Sequence, residues 1–227
     1  GMPFAEVRRL AVFLFCVDGV TVYLLRQQGD VLPEREGMQY LPLRELDGIL
    51  PSWAYFAGAT ALHLAGWYER NVYCGRCGGV RAQDRGRRSL SCPDCGDTVY
   101  PAIAPVVMVA VTDGDRLLMT KYADRSLPQW VLISGFVEAG ETLEEAAERE
   151  VYEETGIRIR DLRYFGSQPW GFSGSVIAGY TARLDGPDGI RLDRKELAAA
   201  EWHSRTGLPD GLPDISIAYE MIEALRL

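Results

Sequence analysis

Histidine is scarce in this chain: His63 and His203 are the only two among 227 residues. A zinc enzyme built on three histidines is therefore excluded. Long apolar runs are also missing. The longest near the start, Leu10 to Val17, has eight residues, far short of the roughly 18 that suggest a membrane-spanning helix. Asp18-Gly19 interrupts it and apolar residues resume at Val20 to Leu25, so a hairpin is expected there rather than a signal peptide. Gly1 before Met2 reads as a cloning remnant and is set aside. The chain contains no G-x-x-x-x-G-K-[ST], no G-x-G-x-x-G and no G-x-S-x-G, so nothing points to a P-loop, a dinucleotide-binding turn or a nucleophile elbow. Positive charge is in deficit, 24 Lys and Arg against 32 Asp and Glu, for a net charge of −8. That disfavours a protein that coats nucleic acid without sequence preference, because such binding rests on neutralising phosphates.

What is present has an ordinary globular balance, 47% hydrophobic and 25% charged, and a length that suits one or two domains. Of five cysteines, four form two C-x2-C pairs, Cys74/Cys77 and Cys92/Cys95, with 14 residues between them. The spacer sits at the short edge of the zinc-ribbon template. Thiolates suit a closed tetrahedral zinc site, and glycine follows each pair at Gly78 and Gly96, where the chain must fold back around the ion. Two disulfides or two redox motifs are the alternatives, but a redox C-x-x-C normally opens a helix in a βαβ unit. Structural zinc is the expectation. Thiolates kept for metal imply a reducing compartment, hence the cytoplasm. Cys16 lies inside an apolar run and is expected to be a small buried hydrophobe.

Residues 2 to about 50 alternate in a strand-rich manner. Trp53 to Tyr68 is predicted helical with Ser52 as N-cap, and His63 is an ordinary side chain of that helix. From Cys74 to Cys95 five arginines (Arg76, Arg81, Arg85, Arg87, Arg88) outnumber Asp84 and Asp94, giving +3 and leaving −11 for the rest. The surplus is a solvated ribbon surface or a handle for an anionic ligand. From Pro101 onward strands are expected at Val106 to Val111 and Arg116 to Thr120, around Asp113-Gly114, then at Trp130 to Ser134, Leu162 to Phe165, Ser175 to Leu184 and Glu201 to His203. Helices are expected at Leu143 to Glu154 and from Ile215 to Leu227. The domain boundaries that follow are an N-terminal α+β domain (1–72), a ribbon (73–100) and a C-terminal domain (101–227).

The most informative stretch runs from Gly135 to Ile157. Thr142 and Glu145 have capping-box spacing, and Gly156 stands where a helix C-terminal glycine belongs. Glu150, Glu153 and Glu154 fall at i, i+3 and i+4, on one helix face, and repel one another. A hard divalent cation such as Mg2+, bridging carboxylates to substrate phosphates, offsets that repulsion. Arg149 can orient one carboxylate.

Gly135, Glu141, Arg149, Glu150, Val151, Glu153, Glu154, Gly156 and Ile157 satisfy G-x5-E-x7-R-E-U-x-E-E-x-G-U, with U apolar, at every specified position over 23 residues. The stretch resembles the Nudix box. Ser167-Gln168-Pro169-Trp170-Gly171-Phe172-Ser173-Gly174-Ser175 is similar to the S-Q-P-W-P-F-P-x-S motif of the NADH pyrophosphatase subgroup. That subgroup carries a zinc ribbon just before its catalytic domain. The cysteine quartet, Tyr100-Pro101 and Ile103-Ala104-Pro105 recur in the same order. The resemblance covers about residues 65 to 227.

The resemblance implies an α/β chain: a Nudix α/β/α sandwich with mixed sheet, preceded by a zinc ribbon and a small N-terminal α+β region. It implies metal-dependent hydrolysis of NAD(H) to NMN(H) and AMP, with removal of NAD caps from RNA 5′ ends, by a homodimer. Mg2+ or Mn2+ would be held by Glu150, Glu153, Glu154, Glu196 and the Ser134 carbonyl, with Glu153 or Glu154 activating water and Arg149 assisting. Zn2+ would be structural on Cys74, Cys77, Cys92 and Cys95. Substrate contacts would come from Tyr100, Phe136, Gln168, Pro169, Trp170, Gly171, Phe172, Ser173, Gly174, Ser175 and Ala218. Core packing is the alternative for Trp170 and Phe172. Gly171 and Ser173 replace family prolines, so a looser loop is expected, and a broader dinucleotide or nucleotide-sugar pyrophosphatase is the competing activity. Restoring both prolines is expected to tighten NADH binding by about two- to fivefold each. A ribbon module that only senses a nucleotide is a third reading, disfavoured because every box carboxylate is kept.

Overall fold

The computed structural model describes residues 11–25, 39, 41–123, 129–210 and 214–227. The parts of the expected N-terminal strand region at 2–10, 26–38 and 40 lie outside the described residues. Contacts divide the chain into two compact units, Gly1–Ala102 with Trp170–Gly174, and Ile103–Pro169 with Ser175–Leu227.

In the first unit, β1 (Ala11–Val17) and β2 (Val20–Leu25) form the expected antiparallel hairpin, with Val17 opposite Val20. Its two-residue turn, Asp18 and Gly19, takes φ values of 46° and 82°, the doubly positive geometry that matches strand twist. Helix α1 (Ser52–Arg70) runs two residues beyond the expected end, and Pro51 occupies the N-cap position without a side-chain cap. Ser52 is thus the first helical residue, not the cap. Three short strands, β3 (Ala82–Gln83), β4 (Leu90–Ser91) and β5 (Thr98–Val99), make the ribbon sheet. Leu14, Leu64, Trp67, Tyr68 and Leu90 close one core with Val12, Phe15, Val22 and Val99 against it, so hairpin, helix and ribbon share their buried face.

Cys16 corrects the sequence reading: it is exposed, with Sγ 3.5 Å from Thr21 Oγ1. The register slips between Phe13 and Phe15. Such a bulge reverses inside–outside parity. Phe15 therefore turns toward the core and Cys16 turns out.

The second unit is built on a mixed sheet of six strands: β6 (Ala104–Asp113), β7 (Arg116–Tyr122), β8 (Ile133–Phe136), β9 (Ile159–Trp170), β10 (Ser175–Leu184) and β11 (Leu197–Ser204). The order is β11-β7-β6-β10-β9, with β8 also paired to β6. β6 runs parallel to β10 and antiparallel to β7 and β8. The turn between β6 and β7 is Gly114-Asp115, one residue later than the Asp-Gly pair suggests, because Asp113 pairs with Arg116.

Helix α2 (Leu143–Thr155) has both halves of the capping box: Thr142 Oγ1 accepts from Glu145 N at 3.1 Å, and Glu145 Oε2 accepts from Thr142 N at 2.8 Å. Gly156 ends it at φ 70°. Helix α3 (Ile217–Leu225) is capped by Ser216. The two helices cover opposite sheet faces, as the alternation of β10 requires. Ala178, Tyr180 and Ala182 join Ala146, Ala147 and Val151 of α2 in one core. Gly179, between them, faces Ile217 and Met221 of α3. This is the α/β/α sandwich expected from the sequence.

Candidate active site and metal centres

The strand–loop–helix run from β8 to α2 delivers the acidic side chains to one place. Arg149 is its organiser. Its guanidinium donates to both oxygens of Glu141 (Nη2 to Oε2 at 2.9 Å), to Glu150 Oε1 at 2.8 Å, to Glu153 Oε2 at 3.0 Å and to the Phe136 carbonyl at 3.0 Å. It therefore orients three carboxylates, where the sequence suggested one. Glu141, bonded first to Arg149 and then to the Glu138 amide, is held down to about 2. It anchors the guanidinium as an anion at neutral pH. Glu141 was left out of the expected site, although the box fixes its position.

Glu154 has no such relief. Its side chain is buried at 2% exposure, and Oε2 has no hydrogen-bond partner. Burial, then the charges of Glu150, Glu196 and Asp193, push its pKa up to about 8. Burial likewise raises Glu150, against the opposing pull of Arg149. A buried carboxylate oxygen with no donor, facing further acids, is a site that a hard cation would satisfy. Oxygen donors of this kind suit Mg2+ or Mn2+. The residues present fit the ion.

Tyr152, Glu153, Glu154, Arg191, Asp193 and Glu196 line an open cleft of about 420 Å3 here. Glu196 thus lines the same cleft as Glu153 and Glu154. Asp193 was missed by sequence reasoning. Its backbone N donates to the Glu154 carbonyl at 2.9 Å, and its charge reaches the Glu154 carboxylate. An acid three residues before Glu196 was the available signal. Ser134 sits in β8, where Tyr122 Oη lies 2.8 Å from its Oγ and 3.2 Å from its carbonyl oxygen. Phe136 is exposed.

The expected substrate-loop residues do not all behave alike. The Gln168 amide is spent on backbone: Nε2 donates to Ile215 O at 2.8 Å, and Oε1 accepts from Ile217 N at 2.9 Å. It ties β9 to the start of α3, which carries the buried Ala218. Ser175 is buried at the start of β10 opposite Ala104. Trp170 packs 6.2 Å from Phe56 and 5.0 Å from Phe172, which lies 5.1 Å from Tyr55, all as ring-centroid distances. That is the packing alternative named for these two aromatics.

Gly171 corrects the expectation of a loose loop. A Cβ there would stand 2.6 Å from the Ala59 carbonyl carbon and oxygen and 2.9 Å from Thr60 N. The loop is pressed against the α1 backbone, and glycine supplies the clearance. Ser173 N donates to Trp170 O at 3.3 Å across the turn. Gly174 adjoins His63, whose Nε2 lies 2.9 Å from Ala102 O. Tyr100 is exposed, and Pro169 sits near the end of β9.

The four cysteines converge. Cys74, Cys77, Cys92 and Cys95 place their Sγ atoms within 4.8 Å of one another. The Cys77–Cys92 and Cys74–Cys95 separations are 3.4 and 3.7 Å, close to the roughly 3.8 Å edge of a tetrahedron with 2.3 Å zinc–sulfur bonds. Gly78 and Gly96 take φ values of 78° and 74° after each pair. The quartet fits zinc. Of the five ribbon arginines, Arg81 is buried against Asp97 and Arg88 donates to the Leu14 carbonyl. Arg76, Arg85 and Arg87 are exposed.

The NUDIX domain family model matches residues 102–225. The chain is 36% identical over 211 residues to the NAD-capped RNA hydrolase NudC of Chromobacterium violaceum, covering 92% of this chain and 78% of that protein. It is 38% identical over 207 residues to the NAD-capped RNA hydrolase NudC of Shigella boydii serotype 18, covering 91% and 77%. Among solved structures it is similar to a NUDIX hydrolase from Nitrosomonas europaea, with a TM-score of 0.50 and 25% identity, covering 60% of this chain and 80% of that one.

Proposed function

The chain belongs to the Nudix family, and on that premise we propose that it is a divalent-metal-dependent pyrophosphatase that splits NAD(H) into NMN(H) and AMP and removes NAD caps from RNA. The observation that carries the reading is Glu154, a buried carboxylate with an unpartnered oxygen among Glu150, Asp193 and Glu196. Glu150, Glu153, Glu154 and Glu196, with the Ser134 carbonyl, would hold Mg2+ or Mn2+. An ion held there would supply charge neutralisation for the diphosphate and a lowered pKa for the attacking water. The chain's own part is to set the carboxylates in place: Arg149 fixes Glu150 and Glu153, while Glu141 fixes Arg149. The NudC relatives named above are described as NAD-capped RNA hydrolases, which supports the substrate class.

Exposed Arg76, Arg85 and Arg87 suit the phosphodiester chain of a capped RNA. The ribbon cysteines would hold one structural zinc. We assign the protein to the cytoplasm because the four ribbon cysteines are free thiols, which persist in a reducing compartment, and to a homodimer on the family resemblance. Among the described residues no helix is long and apolar enough to cross a membrane.

Product analysis after incubation with NADH and Mn2+ tests the reading. AMP with NMNH supports it; nicotinamide with ADP-ribose overturns it. The ratio of kcat/KM for NADH, ADP-ribose and NAD-capped RNA separates it from a broader dinucleotide pyrophosphatase.

A further inference from the structure

Arg81 has a guanidinium that is almost out of solvent, with 4% side-chain exposure. Nη2 pairs with Asp97 Oδ2 at 2.6 Å, and Nη1 donates to the Asp97 carbonyl at 3.1 Å. The Nε atom is buried without a partner. Asp97 in turn touches both halves of the cysteine quartet. Its carbonyl accepts from Cys92 N at 2.8 Å, and its carboxylate lies 3.8 Å from Cys74 Sγ. The Cys74 and Cys92 sulfurs are close enough to act electrostatically on the guanidinium. A thiol at Cys74 can donate to Asp97. A zinc-bound thiolate cannot, because it has no proton. With zinc bound, the Asp97 carboxylate, 34% exposed, would therefore face a thiolate of a centre whose net charge is −2, and the Arg81 guanidinium beside it offsets that repulsion.

We propose that Arg81 is a positioning residue for zinc retention: it makes the Asp97 carboxylate tolerable next to the metal thiolates. The inference rests on the cysteine quartet holding zinc. Outer-shell partners of metal ligands commonly carry a tenfold or larger share of metal affinity. It also accounts for the Arg81 side chain being almost out of solvent while Arg76, Arg85, Arg87 and Arg88 are exposed.

The test is the rate of zinc loss from the full chain into excess chromogenic chelator, with no substrate present. Wild-type protein carrying well under one zinc per chain would remove the zinc reading itself. Given loaded wild-type protein, Arg81→Ala should release zinc at least about tenfold faster. Asp97→Asn alone should change the rate little, and the double variant Arg81→Ala/Asp97→Asn should recover most of the loss, because the offending carboxylate is gone. A purely structural arginine gives the opposite pattern: Asp97→Asn as damaging as Arg81→Ala, and no recovery in the double variant. Wild-type release from Arg81→Ala also overturns the proposal. Should Arg81→Ala not fold, Arg81→Lys keeps the charge and should release zinc more slowly than Arg81→Gln, whereas equal rates in those two would reject a charge effect.

Discussion

The α-carbon of Gly135 lies against the carboxylate of Glu150, in space that a single methyl group would fill. Glycine is needed at this position for clearance. Gly135→Ala must therefore displace either β8 or the carboxylate, at an overpacking cost of about 1 to 3 kcal/mol. The expected outcome is a weakened Mn2+ titration, by tenfold or more, with a modest fall in melting temperature. Unchanged Mn2+ affinity in a folded variant would show that Glu150 does not need this place.

Glu153→Gln and Glu154→Gln should each lower kcat by at least about a hundredfold with little change in KM for NADH. Loss of metal-assisted attack is a transition-state effect and appears in kcat. Steady-state kinetics at saturating Mn2+ read this directly. Near wild-type rates in both variants would take the box out of the chemistry.

Glu154 also gives the metal-free protein a pH dependence of defined sign. Its pKa is raised to about 8 in the folded chain, so the folded state holds a proton that the unfolded chain releases near pH 4 to 5. Stability contributed by that proton is present in full below pH 4 and is lost as pH rises through 8. In protein dialysed free of Mg2+ and Mn2+ with its zinc retained, the melting temperature should fall between pH 5 and 8, by the equivalent of roughly 1 to 3 kcal/mol. Saturating Mg2+ should flatten the slope, and Glu154→Gln should remove much of it. A melting temperature that rises over this range without Mg2+ or Mn2+ would refute the assignment.

Much of this was legible because local chemistry dictates it. The capping box, the Asp18-Gly19 hairpin and the Cys-x2-Cys pairs specify their geometry within a few residues, and all three formed as read. Contacts between distant segments were not legible. Cys16 turned outward through a bulge that no propensity announces. Asp193 joined Glu154 through a backbone bond across 39 positions. Gln168 read as a ligand contact, yet both ends of its amide hold residues 215 and 217.

Replacing Cys74 by Ser should lower zinc content to well below one per chain and cost stability or soluble yield more than it changes kcat of the surviving folded enzyme. A structural site contributes to folding and not to the reaction. Metal analysis, thermal melting and NADH turnover on the same preparation separate the two. A stable Cys74→Ser protein without turnover would point to a ribbon that takes part in catalysis.

Gly171 gives the last prediction, and the structure reverses its sign. A free, flexible loop would gain from proline at 171 and 173 through a smaller entropy loss on binding. Gly171 instead sits within 2.6 Å of the Ala59 carbonyl by the measure of an added Cβ, and the neighbour is helix backbone that cannot rotate away. Any side chain must push the Trp170–Phe172 pair off Tyr55 and Phe56. Gly171→Ala should therefore destabilise the protein by about 1 to 3 kcal/mol, and Gly171→Pro by at least as much. Ser173→Pro alone loses the Ser173 N–H to Trp170 O bond of 3.3 Å, at a smaller cost of about 0.5 to 1.5 kcal/mol. Thermal melting of the three single variants gives the order. A Gly171→Pro protein as stable as wild type, with a lower KM for NADH, would restore the flexible-loop reading and place the loop free of α1.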